Sequence, residues 1–184
     1  MELKNMVALV SRTGRHLQRY DKGSRVVVGC IPYRYKLPLN KTSFVDEDSL
    51  EVLVISAKRK CKGLLFPRGG WETDESMQEA AQRETVEEAG VVGDLAMYLG
   101  KWKGQKKESY MFGLLVKEQL EFWPEQDKRQ RIWMSVKEAR KECKQDWMSG
   151  ALETLVKGLT TNENEANLGC GFPLGVQDNR RCNL

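Results

Sequence analysis

Apolar positions along the chain fall into two patterns. The first is the short β-branched run. Val26, Val27, Val28, Cys30 and Ile31 crowd into Arg25–Arg34, and EVLVIS (Glu51–Ser56) and Leu64–Phe66 repeat the type, which predicts three strands. Pro32 puts the end of the first at an edge or bulge, and Pro67 with Gly69-Gly70 stops the third. Leu95–Trp102 and Tyr110–Val116 read as a pair of strands, and Ile132–Met134 as a last short one. The second pattern is helical. Thr73–Ala89 places Met77, Ala80, Ala81 and Val86 toward a core, with Thr73 or Asp74 as the cap and Gly90 where a left-handed C-cap belongs. Val136–Cys143 reads as a short helix. Trp147–Leu159 carries Met148, Ala151, Leu152, Leu155, Val156 and Leu159 as one stripe. Strands mixed with two substantial helices predict an α+β fold, a mixed sheet sandwiched between helices.

The polar ends divide the chain. Residues 1–18 are expected to be an irregular arm and residues 19–160 one domain. Residues 161–184, rich in Asn and Gly with few large apolar side chains, are expected to be a disordered tail. With 184 residues and 40% hydrophobic composition, there is enough apolar material for a core. No run approaches the roughly 18 apolar residues of a membrane span, and no secretory signal is seen. Five widely spaced cysteines (30, 61, 143, 170 and 182) include no CxxC pair, which argues against a disulfide framework or a thiolate zinc site and for a reducing compartment. Cytoplasm or nucleus is the expectation. Lys4, Arg12, Arg15 and Arg19, with few acids among them, resemble a weak mitochondrial transit peptide and keep the mitochondrion open.

Charge changes the picture once it is partitioned. The net charge is +4, but Gly69–Val91 holds seven acidic residues against Arg83 alone, a net −6. The remainder carries 29 basic and 19 acidic residues, a net +10. Within the acidic segment Glu84, Glu87 and Glu88 stand at i, i+3 and i+4, on one face of a helix, where they repel each other. A solvated acidic face is the ordinary reading of such a run. The flanks favour another. Pro67, Gly69 and Gly70 let main chain approach a metal or phosphate closely, Arg83 can fix a carboxylate, and Mg²⁺ or Mn²⁺ prefers oxygen ligands.

GGWETDESMQEAAQRETVEEAGV (Gly69–Val91) resembles the Nudix box, with Gly69, Glu75, Arg83, Glu84, Glu87, Glu88, Gly90 and Val91 at its fixed positions and Thr85 where an aliphatic is usual. The resemblance implies the Nudix fold and hydrolysis of a diphosphate linked to another group, with Mg²⁺ or Mn²⁺. It implies a catalytic set of Glu87, Glu84, Glu88 and Arg83. Glu84, Glu88, Glu87 and the Gly69 carbonyl would hold metal, Glu87 would help the attacking water, and Glu75 would be a supporting carboxylate. Metal ions would neutralise the diphosphate and position the water.

RYD…GCIPYR, EVLVIS, LLFPRGGWE and WPEQ…RQRIW are further similar to the plant branch of the diphosphoinositol polyphosphate phosphohydrolases, over roughly Ser11 to Leu159. That group implies diphosphoinositol polyphosphates and diadenosine polyphosphates as substrates, beside the general class of nucleoside diphosphate derivatives. By position, Arg25, Arg59, Lys106, Lys107, Arg129 and Arg131, with Lys144, would meet substrate phosphates. Arg68 departs from the pattern, standing where animal members carry Gly. Trp102 or Tyr110 could stack on a nucleobase. The expected partner is a small anionic polyphosphate, with no membrane and no nucleic acid. The competing reading is a catalytically weak Nudix module that binds inositol phosphates or RNA through its basic loops.

Overall fold

In a computed structural model, residues 10–36, 45–57 and 63–160 are described. The expected lysine-rich turn with Arg59 and the expected tail 161–184 lie outside them, as does the first half of the expected arm. Eight strands and three helices follow in the order β1 (Tyr20–Asp21), β2 (Ser24–Tyr35), β3 (Leu50–Ser56), β4 (Leu64–Leu65), β5 (Arg68–Gly70), α1 (Met77–Ala89), β6 (Val91–Lys103), β7 (Lys107–Gln119), β8 (Arg131–Ser135), α2 (Val136–Glu142) and α3 (Asp146–Thr160).

All eight strands join one mixed sheet with the order β4-β3-β2-β7-β6. β1 and β5 also pair with β2, and β8 with β3. The β2–β7 pair is parallel, from Arg25 opposite Lys107 to Tyr33 opposite Leu115. The long hairpin of β6 and β7 is antiparallel with three register shifts. The period-two alternation of β2 splits the core. Val28 and Cys30, with Phe112 and Leu114 of β7, face Ala80 and Ala81 of α1. Ile31 and Tyr33, with Met111, face Met148, Ala151, Leu152 and Leu155 of α3. The α/β/α sandwich follows from that alternation.

Four details differ from the sequence expectation, each for a local reason. Pro32 lies inside β2, opposite Leu114, not at a strand end. Along its other side β2 pairs with β5 through Gly29 and with β3 only from Tyr33 onward. Cys30 N–H donates to Pro67 O at 3.1 Å on that side, and residue 32 faces the same way into the gap between the two partners, so no ladder donor is lost. Arg68–Gly70 is a strand rather than a turn, paired with Val27–Gly29. Helix α1 starts at Met77, because Ser76 closes a capping box with Glu79 and so outcompetes Thr73 and Asp74. On the second half of α1 Thr85, not Val86, joins Ala89 as a fully buried position. Its hydroxyl donates to Ala81 O at 2.8 Å, which satisfies the one polar atom by which it departs from an aliphatic.

Candidate active site

The site is built where β5 meets α1. Gly69 lies so close to α1 that an added Cβ would sit 1.9 Å from Glu84 Oε2. A side chain at 69 would push the Glu84 carboxylate from this place, so glycine lets the strand lie flat on it. At the far end of α1, Gly90 adopts φ 63° and its N–H closes on Val86 O. A side chain there would meet Trp123.

The structure brings Glu84, Glu87, Glu88, Arg83 and Gly69 together. The acidic stripe is not a solvated face, since Glu87 and Glu88 are 8% and 7% exposed. Arg83 anchors the cluster. It donates to Glu75 through Nε at 2.8 Å and Nη2 at 2.6 Å, to Gly70 O at 2.9 Å, to Glu84 at 2.8 Å and to Glu87 at 3.3 Å. Glu75 also accepts from Glu72 N–H at 3.1 Å, tying the loop to the helix. Burial raises the Glu84 carboxyl to about 7, against the opposing pull of Arg83 and with repulsion from Glu88 and Glu87 adding to it. Burial raises Glu87 in the same direction. Both shifts are the response of crowded anions to a dry site.

An all-oxygen donor set with depleted solvation suits a hard divalent cation, and the contact of Glu84 with Gly69 places a carboxylate beside main chain. Among the described residues, however, no three acidic, His or Cys side chains are grouped as a ready cation cage. Glu84 and Glu87 lean on Arg83, and Glu88 accepts from the Arg68 main-chain N–H at 3.0 Å and from Arg129.

The six expected substrate contacts separate. Arg129 is buried and held by Glu88, by Glu125 at 2.8 Å and by Ser56 O at 3.1 Å. Those carboxylates answer its charge from within the fold. Arg131 also has intramolecular partners. It stacks 4.0 Å over Trp123 and donates to Ala89, Gly90 and Leu120 carbonyls, closing the C-terminal end of α1. Arg25 donates to Gln18 at 2.8 Å beside Gly70. Lys106 is exposed on the hairpin. Burial lowers the Lys107 ammonium, with Arg68, Arg25 and Arg15 adding repulsion and Glu88 opposing them. Arg59 lies outside the described residues.

A cleft of about 510 Å³ opens beside this cluster, walled by Arg68, Trp102, Lys106, Lys107, Ser109 and Trp147 among others. The sequence reading had three of these walls: Trp102, Lys106 and Lys107. Tyr110 lies under Lys101, 5.1 Å from its ring, and it is Trp102, itself packed on the core, that lines the cleft. Arg68 stood out in the sequence as a departure from the family pattern, and Trp147 as an aromatic at the start of a helical stripe, but nothing local showed that the two stack; Ser109 was missed because it carries no charge pattern. Glu125, the buried partner of Arg129, left no local signal either.

The chain matches the NUDIX domain family over residues 40–155. It is 57% identical over 161 residues to Nudix hydrolase 18, mitochondrial, of Arabidopsis thaliana, covering 84% of this chain and 89% of that one. It is 37% identical over 131 residues to mouse diphosphoinositol polyphosphate phosphohydrolase 3-alpha, covering 67% and 80%. A NUDIX hydrolase structure from Nitrosomonas europaea superposes with TM-score 0.58 at 17% identity, over 74% of this chain and 91% of the other, and supports the fold. The buried carboxylate face of α1, packed on Gly69 and followed by the Gly90 cap, is thus the box of a known enzyme family. The chain belongs to the Nudix hydrolases, pyrophosphohydrolases that act on phosphoric anhydride bonds and generally need divalent metal ions.

Proposed function

We propose that the chain hydrolyses a diphosphate linkage in a small, densely phosphorylated substrate, a diphosphoinositol polyphosphate or a diadenosine polyphosphate, within the wider class of nucleoside diphosphate derivatives. One observation carries this reading: the carboxylate face of α1 adjoins a cleft lined by Arg68, Lys106 and Lys107, so that the place for cleavage and a place for many phosphates share the residue Arg68. The name of the mouse relative supports the inositol branch.

In this reading Glu84, Glu88, Glu87 and the Gly69 carbonyl would hold Mg²⁺ or Mn²⁺, which would supply charge neutralisation at the diphosphate and a lowered water pKa. Arg83 holds Glu84 and Glu87 at fixed angles. Glu87 takes the proton of a water whose oxygen bonds to phosphorus while the bridging P–O bond breaks and the leaving phosphate keeps the electron pair. Arg25, Lys106 and Lys107 hold the remaining phosphates. The mitochondrial designation of the Arabidopsis relative supports a mitochondrial residence over a cytoplasmic or nuclear one, and imaging a C-terminal fluorescent fusion tests it.

The test of function is phosphate release from a panel of diphosphoinositol, dinucleoside and nucleotide-sugar substrates with Mg²⁺ or Mn²⁺. Turnover concentrated on the first two groups is expected. Tight binding with no turnover on any member, unchanged in Glu87→Gln, would establish the weak binding module instead.

A further inference from the structure

Four arginines surround α1, and three have their charge answered by the protein. Arg83 meets Glu75, Glu84 and Glu87. Arg129 meets Glu88 and Glu125. Arg131 meets three carbonyls and the Trp123 face. Arg68 is different. Its Nη1 donates to the Ser109 hydroxyl at 2.5 Å and its guanidinium lies 3.7 Å over Trp147. Neither partner is a carboxylate, and among the described residues Arg68 takes part in none of the ion pairs.

A half-buried guanidinium without a carboxylate loses water and regains only part of that loss from a hydroxyl and a ring face. Glu88 offsets part of the deficit and Arg25 adds to it, while the wall shared with Lys103, Lys106 and Lys107 holds only Asp146 as a carboxylate, so the cleft keeps an excess of positive charge. An anion entering the cleft removes the deficit and finds a flat, preset donor fork. The stack on Trp147 and the bond to Ser109 fix that fork before any ligand arrives, so little side-chain freedom is lost on binding. The same residue's main-chain N–H reaches Glu88 at 3.0 Å, placing the fork one residue from the carboxylate face.

We propose that Arg68 is a specificity-determining residue: its guanidinium, held flat by Trp147 and Ser109, takes a phosphate of the substrate other than the pair being cleaved, and selects molecules bearing several phosphates over those bearing one diphosphate. The proposal rests on the reading of the cleft as the seat of a phosphorylated substrate. It assigns the selection to a residue whose main chain and side chain serve different halves of the site.

Calorimetric binding of myo-inositol hexakisphosphate, which has no anhydride to cleave, reads Arg68 apart from turnover. Arg68→Gln is expected to weaken that binding about tenfold or more, as the loss of a charge-assisted fork would, with Arg68→Lys between the two because the charge stays and the flat stack goes. Steady-state kinetics on a diphosphoinositol pentakisphosphate and on ADP-ribose give the second reading. The preference for the former, as the ratio of kcat/KM values, is expected to fall about tenfold, through KM rather than kcat. Equal hexakisphosphate affinity in wild type and both variants, equal proportional losses on the two substrates, or wild-type protein that does not bind hexakisphosphate overturns the proposal. Should Arg68→Gln not fold, Arg68→Lys carries the same comparison. Wild-type protein that binds hexakisphosphate but hydrolyses neither substrate overturns the function proposed above and leaves the Arg68 comparison readable.

Discussion

The two faces that meet at Arg68 are built on opposite rules. On α1, anions are packed beyond what helix electrostatics tolerates, and arginines brought in from α1 itself and from the segment before β8 offset them. Arg83 answers Glu75, Glu84 and Glu87, and Arg129 answers Glu88 and Glu125. In the cleft, four cations (Arg68, Lys103, Lys106 and Lys107) share the wall with one carboxylate, Asp146, and Arg68 itself leans on a hydroxyl and an indole ring. The first region is a finished ionic network whose members hold each other. The second is a field awaiting its counter-charge. The contrast teaches that burial and charge sign do not identify a ligand-binding arginine; what does is whether the protein already supplies the anion.

That contrast can be broken most severely at Glu87. Glu87→Gln keeps the volume and removes the negative oxygen that leans on Arg83, so kcat is expected to fall by about 10²–10⁴ while circular dichroism and the thermal midpoint stay near wild type. A change in kcat below tenfold would remove Glu87 from the chemistry. Next is a paired comparison by urea denaturation. Arg129→Met removes the buried cation that Glu88 and Glu125 share and is expected to cost about 3–5 kcal/mol. Arg68→Met strands no carboxylate and is expected to stay within about 1 kcal/mol of wild type. Equal losses would erase the distinction between the two regions. Ionic strength sharpens it further. Raising salt from 50 to 200 mM is expected to weaken hexakisphosphate binding severalfold, through screening of the open cleft, and to leave the urea midpoint nearly unmoved.

The smallest effect comes from a pair outside both regions. Glu47 is held below its ordinary value of 4.5 chiefly by its hydrogen bond to Arg140. A lowered folded-state value means stability that is present above pH 4.5 and lost as pH falls through the folded value. Glu47→Gln is therefore expected to be slightly less stable than wild type at pH 7, by well under about 1 kcal/mol for so exposed a pair. The two thermal midpoints should converge in acid. A gap that persists unchanged at pH 2 would assign the difference to something other than this ion pair.

Much of this was legible in the residues. The runs around Val26–Ile31 and Glu51–Ser56 marked β2 and β3 because β-branched side chains on a two-sided sheet leave little else to read. Glu84, Glu87 and Glu88 were legible because the flanking Gly69, Gly70, Arg83 and Gly90 at fixed spacing set the triplet apart from an ordinary solvated acidic face. What failed depended on partners distant in sequence. Nothing local tells Arg129 that Glu88 lies 41 residues earlier in the chain, or Arg131 that three carbonyls wait at the end of α1 and beyond. Both therefore looked like free surface cations. Arg68–Gly70 looked like a turn because two glycines carry no strand propensity, and only pairing with Val27–Gly29 makes it a strand. Ser76 lost to Thr73 and Asp74 on position alone, although Glu79 three residues on was the better clue.

The parallel pairing of β2 with β7 sets a timetable for making the enzyme. Arg25 must find Lys107 and Tyr33 must find Leu115, partners 82 positions apart, so the spine of the sheet cannot close until the hairpin has left the ribosome. Helix α1, with its load of carboxylates, is synthesised between them and has only half a sheet to rest on in the interval. Long-range closure of this kind slows folding, and it leaves Val28 and Cys30 without their flanking neighbours Phe112 and Leu114 under α1 until β7 arrives. A nascent chain stalled between residues 90 and 119 thus carries the full catalytic sequence without the scaffold that makes it a site, and the hazard of this architecture falls on synthesis more than on the finished molecule.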